Sequence, residues 1–256
     1  MAVHLVGFYE SVDAAAAYNT LNALTDETLT ATTVNLQVPD TYNKIIAIAA
    51  GVGSGGNGIV RLEAPSLRGH TLYMVVPVNG RNDGNVEPGS PHVVVDKRSG
   101  PLQLKTAEQL NAAVHSDTTL AAVQWCFVWL ADTVPAPVSG DIRTIRATNT
   151  STLTAGAWTN GALTMDEALP VGNYDVVGMR AQSAGLLAAR MLFKNQFHRP
   201  GVLGTDAQED LEHPMFRFGQ LGVFGTFHTT NLPSVDFLSL SGDSSQVVFL
   251  DVIGPK

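Results

Sequence analysis

The chain has very little cysteine and very little charge for its length of 256 residues. Its single cysteine, Cys126, excludes a disulfide bond within the chain. Charged residues make up 15% of the sequence, whereas soluble domains contain about 25%. Hydrophobic residues still reach 45%, and a chain of this length can bury a core without disulfide or metal support. Because the cysteine lies within the apolar run 123–130, we expect its thiol to be buried.

Clustered positive charge and long hydrophobic runs are also missing. The 15 lysines and arginines are scattered among 23 acidic residues, for a net charge of −8. Nucleic-acid binding needs clustered cations that displace counterions from phosphates, so we expect no direct contact with nucleic acid. No apolar run approaches the roughly 18–20 residues of a membrane-spanning helix. The first residues lack a basic segment and include Glu10, which is not typical of a signal peptide.

Residue patterns that usually indicate catalysis or metal binding are absent as well. The seven histidines include no His-x-His and no His-Glu-x-x-His, which are metal-binding spacings. Overlapping Gly-x-Gly-x-x-Gly patterns span 51–58, but they precede a predicted strand, and a pyrophosphate site needs a helix there. Ser54 lacks the glycine of a serine-nucleophile turn, because Val52 occupies that position. The sequence therefore predicts no enzyme, no catalytic residue, no metal and no cofactor.

What the chain does contain is many short β-branched and aromatic segments, separated by 24 glycines and 13 prolines. They recur about every 8–12 residues without regular alternation with helices, which favours β-sandwiches or barrels in an all-β fold. The predicted strands are 3–9, 32–38, 44–50, 59–63, 71–78, 92–96, 123–130, 141–147, 175–182, 188–193, 216–229 with glycine interruptions, and 246–253.

Three segments have helical features. Segment 11–24 begins with Ser11, a residue typical of helix N-caps, and contains four consecutive alanines. Segment 106–114 opens with a threonine and a glutamine three residues apart, which is the capping-box pattern. Segment 233–240 begins with a proline, which is tolerated in a first helical turn. We therefore predict a few short helices beside the strands.

The order of features in the second half of the chain repeats the order in the first half. A proline shortly precedes Tyr42 and Tyr174, and each tyrosine leads into an alternating apolar strand. A small-residue turn follows, and then a strand that contains Arg61 in the first half and Arg190 in the second. The offset between matched features stays near about 130 residues, which indicates a duplication. The alternative is that β proteins reuse the same turn residues. We interpret the two tyrosines and two arginines as structural.

The proline-rich segment 132–140 is the predicted boundary between the halves, since it cannot easily continue a strand or a helix. It divides the chain into residues 1–134, with the predicted helix 11–24, and residues 135–256. Each half has the length of one jelly roll. The predicted fold is therefore all-β, with two tandem jelly-roll or β-sandwich domains.

The chain has two β-rich halves, and a proline shortly before a tyrosine leads into a strand in each, at Pro39 to Tyr42 and at Pro170 to Tyr174. Each half also has a predicted helix before its last strand. In these features the chain resembles the double jelly-roll major capsid proteins of icosahedral viruses. This is the tectivirus–adenovirus lineage, and the resemblance covers nearly the whole chain. It implies a structural protein whose homotrimers form pseudo-hexameric capsomers of an icosahedral shell. It also implies a place in the virion after assembly in the host cytoplasm, with other capsid proteins or an internal membrane as further contacts.

The segment 204–214 is acidic and is flanked by arginines, which indicates either a charged contact between subunits or an ordinary solvated segment that aids solubility. The candidate contact residues are Arg199, Asp206, Glu209, Asp210 and Arg217. The alternative function is a tandem β-sandwich attachment module that binds carbohydrate. For that function Trp158, in a predicted loop, is the candidate residue on which a sugar ring stacks.

Overall fold

The structure is a computed structural model, which describes residues 2–11, 18–26, 28–52, 58–67, 71–76, 94–116, 123–206 and 212–256. These residues are mostly in strands, with one short 3-10 helix at Pro214–Phe216. The prediction of an all-β fold is therefore confirmed. The chain forms two compact units: the described residues of 5–134 form the first unit, and Pro135–Lys256 form the body of the second. No helix among the described residues is long and apolar enough to cross a membrane.

The strands of the first unit form two sheets around one core. They are β1 (Val3–Glu10), β2 (Tyr18–Thr20), β3 (Asn22–Ala23), β4 (Leu36–Gln37), β5 (Lys44–Val52), β6 (Gly58–Glu63), β7 (Thr71–Val76), β8 (Val95–Asp96), β9 (Leu102–Gln103), β10 (Gln109–Ser116) and β11 (Gln124–Ala131). One sheet has the order β3-β1-β11-β5-β8, with β9 also paired to β5. The other has the order β2-β10-β6-β7, with β4 paired to β10. Alternate residues, such as Val60 and Leu62 of β6 and Val128 and Leu130 of β11, fill the core between the sheets.

The second unit is built in the same way. Its strands are β12 (Ile142–Asn149), β13 (Trp158–Ala162), β14 (Thr164–Met165), β15 (Asn173–Gln182), β16 (Leu186–Leu192), β17 (Gly201–Thr205), β18 (Gly225–His228), β19 (Ser234–Ser239) and β20 (Gln246–Ile253). They follow the order β13-β19-β16-β17-β15-β20-β12-β14, with β18 also paired to β15. The link between β17 and β15 is a short parallel pairing of two residues on each strand, so β17 joins two sheets into a nearly closed barrel.

Both units have the strand order of a jelly roll. We number the eight principal strands of each unit 1–8 along the chain: β1, β2, β5, β6, β7, β8, β10 and β11 in the first, and β12, β13, β15, β16, β17, β18, β19 and β20 in the second. Both units then contain a sheet of order 1-8-3-6 and a sheet of order 2-7-4-5. This order results when an antiparallel ribbon that pairs 1 with 8, 2 with 7, 3 with 6 and 4 with 5 rolls into two sheets. The small strands β3 and β14 also repeat, since each pairs with strand 1 of its unit.

Two of the predicted helices are strands, and both occupy position 7 of the jelly roll. Segment 106–114 overlaps β10, and segment 233–240 contains β19. In β10, Leu110, Ala112 and Val114 alternate into the core, and the main chain pairs with β6 on one side and with β2 and β4 on the other. This non-local pairing overrides the local helical pattern. Of the predicted capping-box residues, Thr106 lies in a turn, where Ala107 has a φ of 61°, and Gln109 begins β10.

The remaining differences concern strand ends and short strands. The described part of predicted helix 11–24 contains β2 and β3, while residues 12–17 lie outside the described residues. Within the predicted strands 32–38 and 216–229, the structure contains only the shorter strands β4 and β18. The strands β13 and β17 were not predicted. Short edge strands carry too few alternating residues to stand out in a sequence.

Several predicted buried residues are confirmed. Cys126 is fully buried in β11, which is buried along its whole length. Tyr174 is also fully buried, and its hydroxyl donates a hydrogen bond of 3.0 Å to the carbonyl of Pro170. Tyr42 packs against the core of the first unit. The two matched tyrosines are thus structural residues at the start of strand 3.

Candidate functional site

The described residues bring together no group of side chains suited to metal binding. No three His, Cys, Asp or Glu residues among them cluster closely enough to hold an ion. Burial raises the pKa of the Cys126 thiol far above its ordinary value, so this thiol is a poor nucleophile. The glycine-rich segment connects β5 and β6, which lie in different sheets, and residues 53–57 are outside the described residues.

Two of the five candidate contact residues between subunits are arginines that lie within the second unit. Arg199 and Arg217 are both buried. Arg199 Nη1 lies 3.5 Å from Asp236 Oδ2, and Arg217 Nε lies 2.7 Å from Asp251 Oδ2. Both guanidinium groups therefore neutralise carboxylates inside the second unit, and they are not surface groups.

The three acidic candidates have a different outcome. Asp206 is partly exposed, and its carboxylate accepts a hydrogen bond from the main-chain N–H of Gly185, at the turn between β15 and β16. Glu209 and Asp210 lie outside the described residues. A role for these three residues between subunits stays a prediction.

The most elaborate group of charged side chains surrounds Asp251 of β20. Arg217 donates two hydrogen bonds to its carboxylate, of 2.7 Å and 2.9 Å, in a bidentate arrangement. Thr144 Oγ1 donates a third at 2.7 Å, and the main-chain N–H of Phe218 donates a fourth at 2.9 Å. Glu212 also accepts a hydrogen bond from Arg217. We call these five residues the Asp251 network.

Hydrogen bonding keeps the central pair of the network charged in spite of its burial. Burial by itself raises the pKa of Asp251, but the hydrogen bonds from Arg217, Phe218 and Thr144 outweigh it and hold the pKa below its ordinary value. Burial likewise lowers the pKa of Arg217, but its bonds with Asp251 and Glu212 outweigh that effect and raise it. The pair is therefore ionised at neutral pH, and its function is positional.

What the network positions is an exposed aromatic ring. Phe218 is 53% exposed, and its main chain has a φ of 49°, which is unfavourable for a residue with a side chain. Its N–H is fixed by Asp251, and the guanidinium carbon of Arg217 lies 4.6 Å from the ring centre. Gly178 lies directly below, where an added Cβ would be 2.4 Å from Asp251 Oδ2. Backbone strain of this kind persists only where the surroundings enforce it, and it is common at functional sites.

The position of Phe218 on the fold follows from the alternation along β20. Val248, Leu250 and Val252 are fully buried and point to one face of the 1-8-3-6 sheet. Asp251 therefore points to the opposite face, which we call the outer face. Because the N–H of Phe218 is bonded to Asp251, the main chain at Phe218 lies against the outer face of the 1-8-3-6 sheet in the second unit.

A second feature recurs in both units at the same register. The guanidinium carbon of Arg61 lies 4.4 Å from the ring centre of Tyr18, and that of Arg190 lies 4.2 Å from the ring of Trp158. Each arginine is on strand 4 and is paired with a residue of strand 7. That residue of strand 7 is also paired with a residue of strand 2. In each unit the aromatic residue is on strand 2, two positions before this paired residue. The sequence matched the two arginines, and their register shows that they are equivalent.

The geometry around Trp158 bears on carbohydrate binding. This residue is the first of β13 and not part of a loop, and it is partly buried. Arg190 covers one face of the Trp158 ring, and the indole Nε1 is buried without a hydrogen-bond partner among the described residues. A sugar that stacks on tryptophan needs an open ring face, so the arginine occupies part of the surface that the carbohydrate function requires.

Two open cavities flank β4 in the first unit, each of about 200 Å³. They share Thr30 and Gln37, and their linings include further threonine, asparagine and glutamine residues. Ligand pockets usually measure about 300–1,000 Å³ and are mostly apolar. The small size of these cavities therefore does not indicate a small-molecule site.

Comparison with known proteins adds no relative. No model of a known protein family matches this sequence, and no curated protein matches it significantly. Function is therefore inferred from the strand order of the two units and from the side chains described above.

Proposed function

We propose that this chain is a structural capsid protein that self-assembles into an icosahedral shell through trimeric, pseudo-hexameric capsomers. The observation that carries the proposal is the repetition of one strand order, 1-8-3-6 and 2-7-4-5, in both units. The jelly roll is an architecture of viral capsid domains. Two jelly rolls in each chain would give a trimer six similar sandwiches, which is the arrangement that a pseudo-sixfold building block needs.

The surfaces of the described residues also favour a role in protein association. The buried charges of the Asp251 network are paired with each other and hold an aromatic ring outwards. Aromatic residues and arginines are the side chains that most often anchor protein interfaces. In this proposal the partners are further copies of the chain and other capsid proteins, and the location is the virion after assembly in the host cytoplasm.

The alternative function, a carbohydrate-binding attachment module, has less support. Arg190 covers one face of the ring of Trp158, the residue on which it depends. The linings of the two cavities beside β4 contain no aromatic residue on which a sugar ring could stack.

The proposal is tested by the mass and shape of the purified protein. Light scattering after size-exclusion chromatography should give three times the 27.1 kDa of one chain, or a larger assembly. Negative-stain microscopy should then show compact trimers, sheets or closed particles. A 27.1 kDa monomer that persists at high protein concentration would contradict the proposal.

A further inference from the structure

We propose that residues 212–224, which we call the strap, lock the proline-rich linker 132–140 to the second jelly roll, and that Gly219 is the residue that joins them. The strap belongs to the connection between β17 and β18 and includes Phe218. The contacts that form the lock lie within the second unit. The inference therefore goes beyond the proposed function and does not depend on assembly.

A bulge in β15 supplies the acceptors that hold the strap. The register of β15 against β20 shifts between Val176 and Gly178, so Val177 is an extra residue without an opposite partner. An extra residue in a bulge has main-chain groups outside the regular ladder. The carbonyl of Val177 accepts a hydrogen bond of 2.7 Å from the N–H of Gly219, and the carbonyl of Val176 accepts one of 2.7 Å from Phe224. The strap therefore docks where the sheet has free main-chain acceptors.

Side chains hold the strap in the same position. Arg217 of the strap donates two hydrogen bonds to Asp251 of β20, and Arg180 Nη1 of β15 lies 3.2 Å from Glu212 Oε2 at the start of the strap. The buried apolar residues of the strap are Met215, Phe216, Leu221 and Phe224. The strap is thus fixed to the second unit by contacts that do not involve the linker.

Gly219 binds the linker with its second main-chain group. Its carbonyl accepts a hydrogen bond of 3.0 Å from the N–H of Val138. Its φ is 79°, a conformation that glycine adopts without steric cost. A Cβ at this position would collide with the carbonyl oxygen of Val138. One glycine thus connects strand, strap and linker, and a side chain there would push the linker away.

The linker has few other groups with which to bind the second unit. Pro135 and Pro137 have no N–H. Among the described residues, Val138 is the member of segment 134–139 whose main-chain N–H bonds to another element. Loss of this bond would therefore free the linker up to the start of β12.

The lock shortens the connection between the two units. On the side of the first unit, Lys44 Nζ donates a hydrogen bond to the carbonyl of Asp132. With the lock closed, residues 133–137 connect the two hydrogen-bonded ends and span at most about 18 Å. With the lock open, residues 133–141 would connect Asp132 to β12 and span up to about 32 Å. The lock thus makes the linker a short spacer, which its prolines also stiffen.

The test is amide hydrogen exchange of the full chain, followed by mass spectrometry. In the wild type, the Val138 amide should exchange at least about tenfold more slowly than in the denatured chain. Gly219→Ala should abolish this protection, because the methyl group and the carbonyl of Val138 cannot occupy the same space. Gly242→Ala is the control, since its methyl group would be in ordinary contact and should leave the linker protected. The amides of β20 should stay protected in both variants, which shows that they remain folded.

Val138→Pro provides a second variant that leaves the strap unchanged. It removes the donor N–H of the lock. The amides of Gly219 and Phe224 should remain as protected as in the wild type, because both donate to β15.

Three outcomes would overturn the inference. The first is a Val138 amide that exchanges in the folded wild type as fast as in the denatured chain, which decides the matter even if Gly219→Ala does not fold. The second is a folded Gly219→Ala variant whose linker keeps its protection. The third is a loss of protection at Gly219 and Phe224 in Val138→Pro, since the linker would then hold the strap. The proposed function is tested separately, by the mass of the assembly in light scattering.

Discussion

Asp251 fixes the main chain of Phe218, since its Oδ2 accepts a hydrogen bond of 2.9 Å from the Phe218 N–H. Arg217 donates two hydrogen bonds to the same carboxylate. A buried ion pair thereby sets the backbone conformation that turns an aromatic ring outwards. Buried ion pairs contribute little net stability, because desolvation of the two charges offsets their attraction. The retention of this pair is better explained by the geometry that it enforces than by the energy that it supplies.

The first prediction concerns the loss of this carboxylate. Asp251→Asn leaves the buried guanidinium of Arg217 without its main partner, so the free energy of unfolding should fall by about 3–5 kcal/mol. Urea unfolding followed by fluorescence measures the change. The matched control is Asp166→Asn, which breaks the exposed pair with Arg146 and should cost about 1 kcal/mol or less. Equal losses in the two variants would show that the Asp251 network has no special structural role.

The second prediction concerns the pH dependence of stability. The folded pKa of Asp251 lies below the 3.8 of an unperturbed aspartate, so the unfolded chain binds its proton first as the pH falls. The contribution of this carboxylate is therefore fully present above pH 3.8 and is lost as the pH falls through the lower folded pKa. The difference in unfolding free energy between wild type and Asp251→Asn should be constant from pH 7 to about 5 and shrink below about 4. A difference that grows towards low pH would contradict the direction of the pKa shift.

The sequence predicted those parts of the fold that depend on local alternation. The predicted strand 246–253 coincides with β20, because Val248, Leu250 and Val252 alternate with more exposed residues. Strand 7 of each unit was predicted as a helix, from a capping-box pattern in segment 106–114 and from the proline that begins segment 233–240. In the structure, Asn111 of β10 pairs with Glu63, and such distant pairing is not visible in a short window.

The candidate site was predictable only in part. Arg217 was recognised as a charged residue near an acidic segment, but its partner Asp251 is 34 residues away in the sequence. Asp251 lies on β20, which pairs with β15, and such distant pairing is not visible in the sequence. One feature of the sequence, the glycine that follows Phe218, weakly indicates the positive φ of this residue. Arg61 and Arg190 were matched from the repeat alone, because duplicated strands keep the same residue at the same register.

The third prediction concerns the space that Gly178 provides beneath Phe218. In Gly178→Ala the new methyl group would lie 2.4 Å from Asp251 Oδ2 and 2.9 Å from the Phe218 nitrogen, so main chain and carboxylate must both shift. We expect a loss of about 1–3 kcal/mol in unfolding free energy, as overpacked sites show. Gly242→Ala in the same unit is the control, because its methyl group would lie 3.5 Å from the carbonyl of Leu153 in ordinary contact. If both alanine variants are equally stable in urea, Phe218 is not held against β15 as described.

The fourth prediction compares the two equivalent arginines. Arg190→Ala should destabilise the protein by about 1.5–3 kcal/mol, because the buried carboxylate of Asp236 loses the arginine that lies 3.0 Å away and keeps only Arg199 and Asn160 as partners. Arg61→Ala removes a partly exposed partner of Glu63 and a cation–π contact, and should cost about 1 kcal/mol. Both values come from urea unfolding at a protein concentration at which the chain is monomeric. An Arg61→Ala variant that unfolds as readily as Arg190→Ala would contradict the difference in burial between the two arginine side chains, which are 27% and 1% exposed.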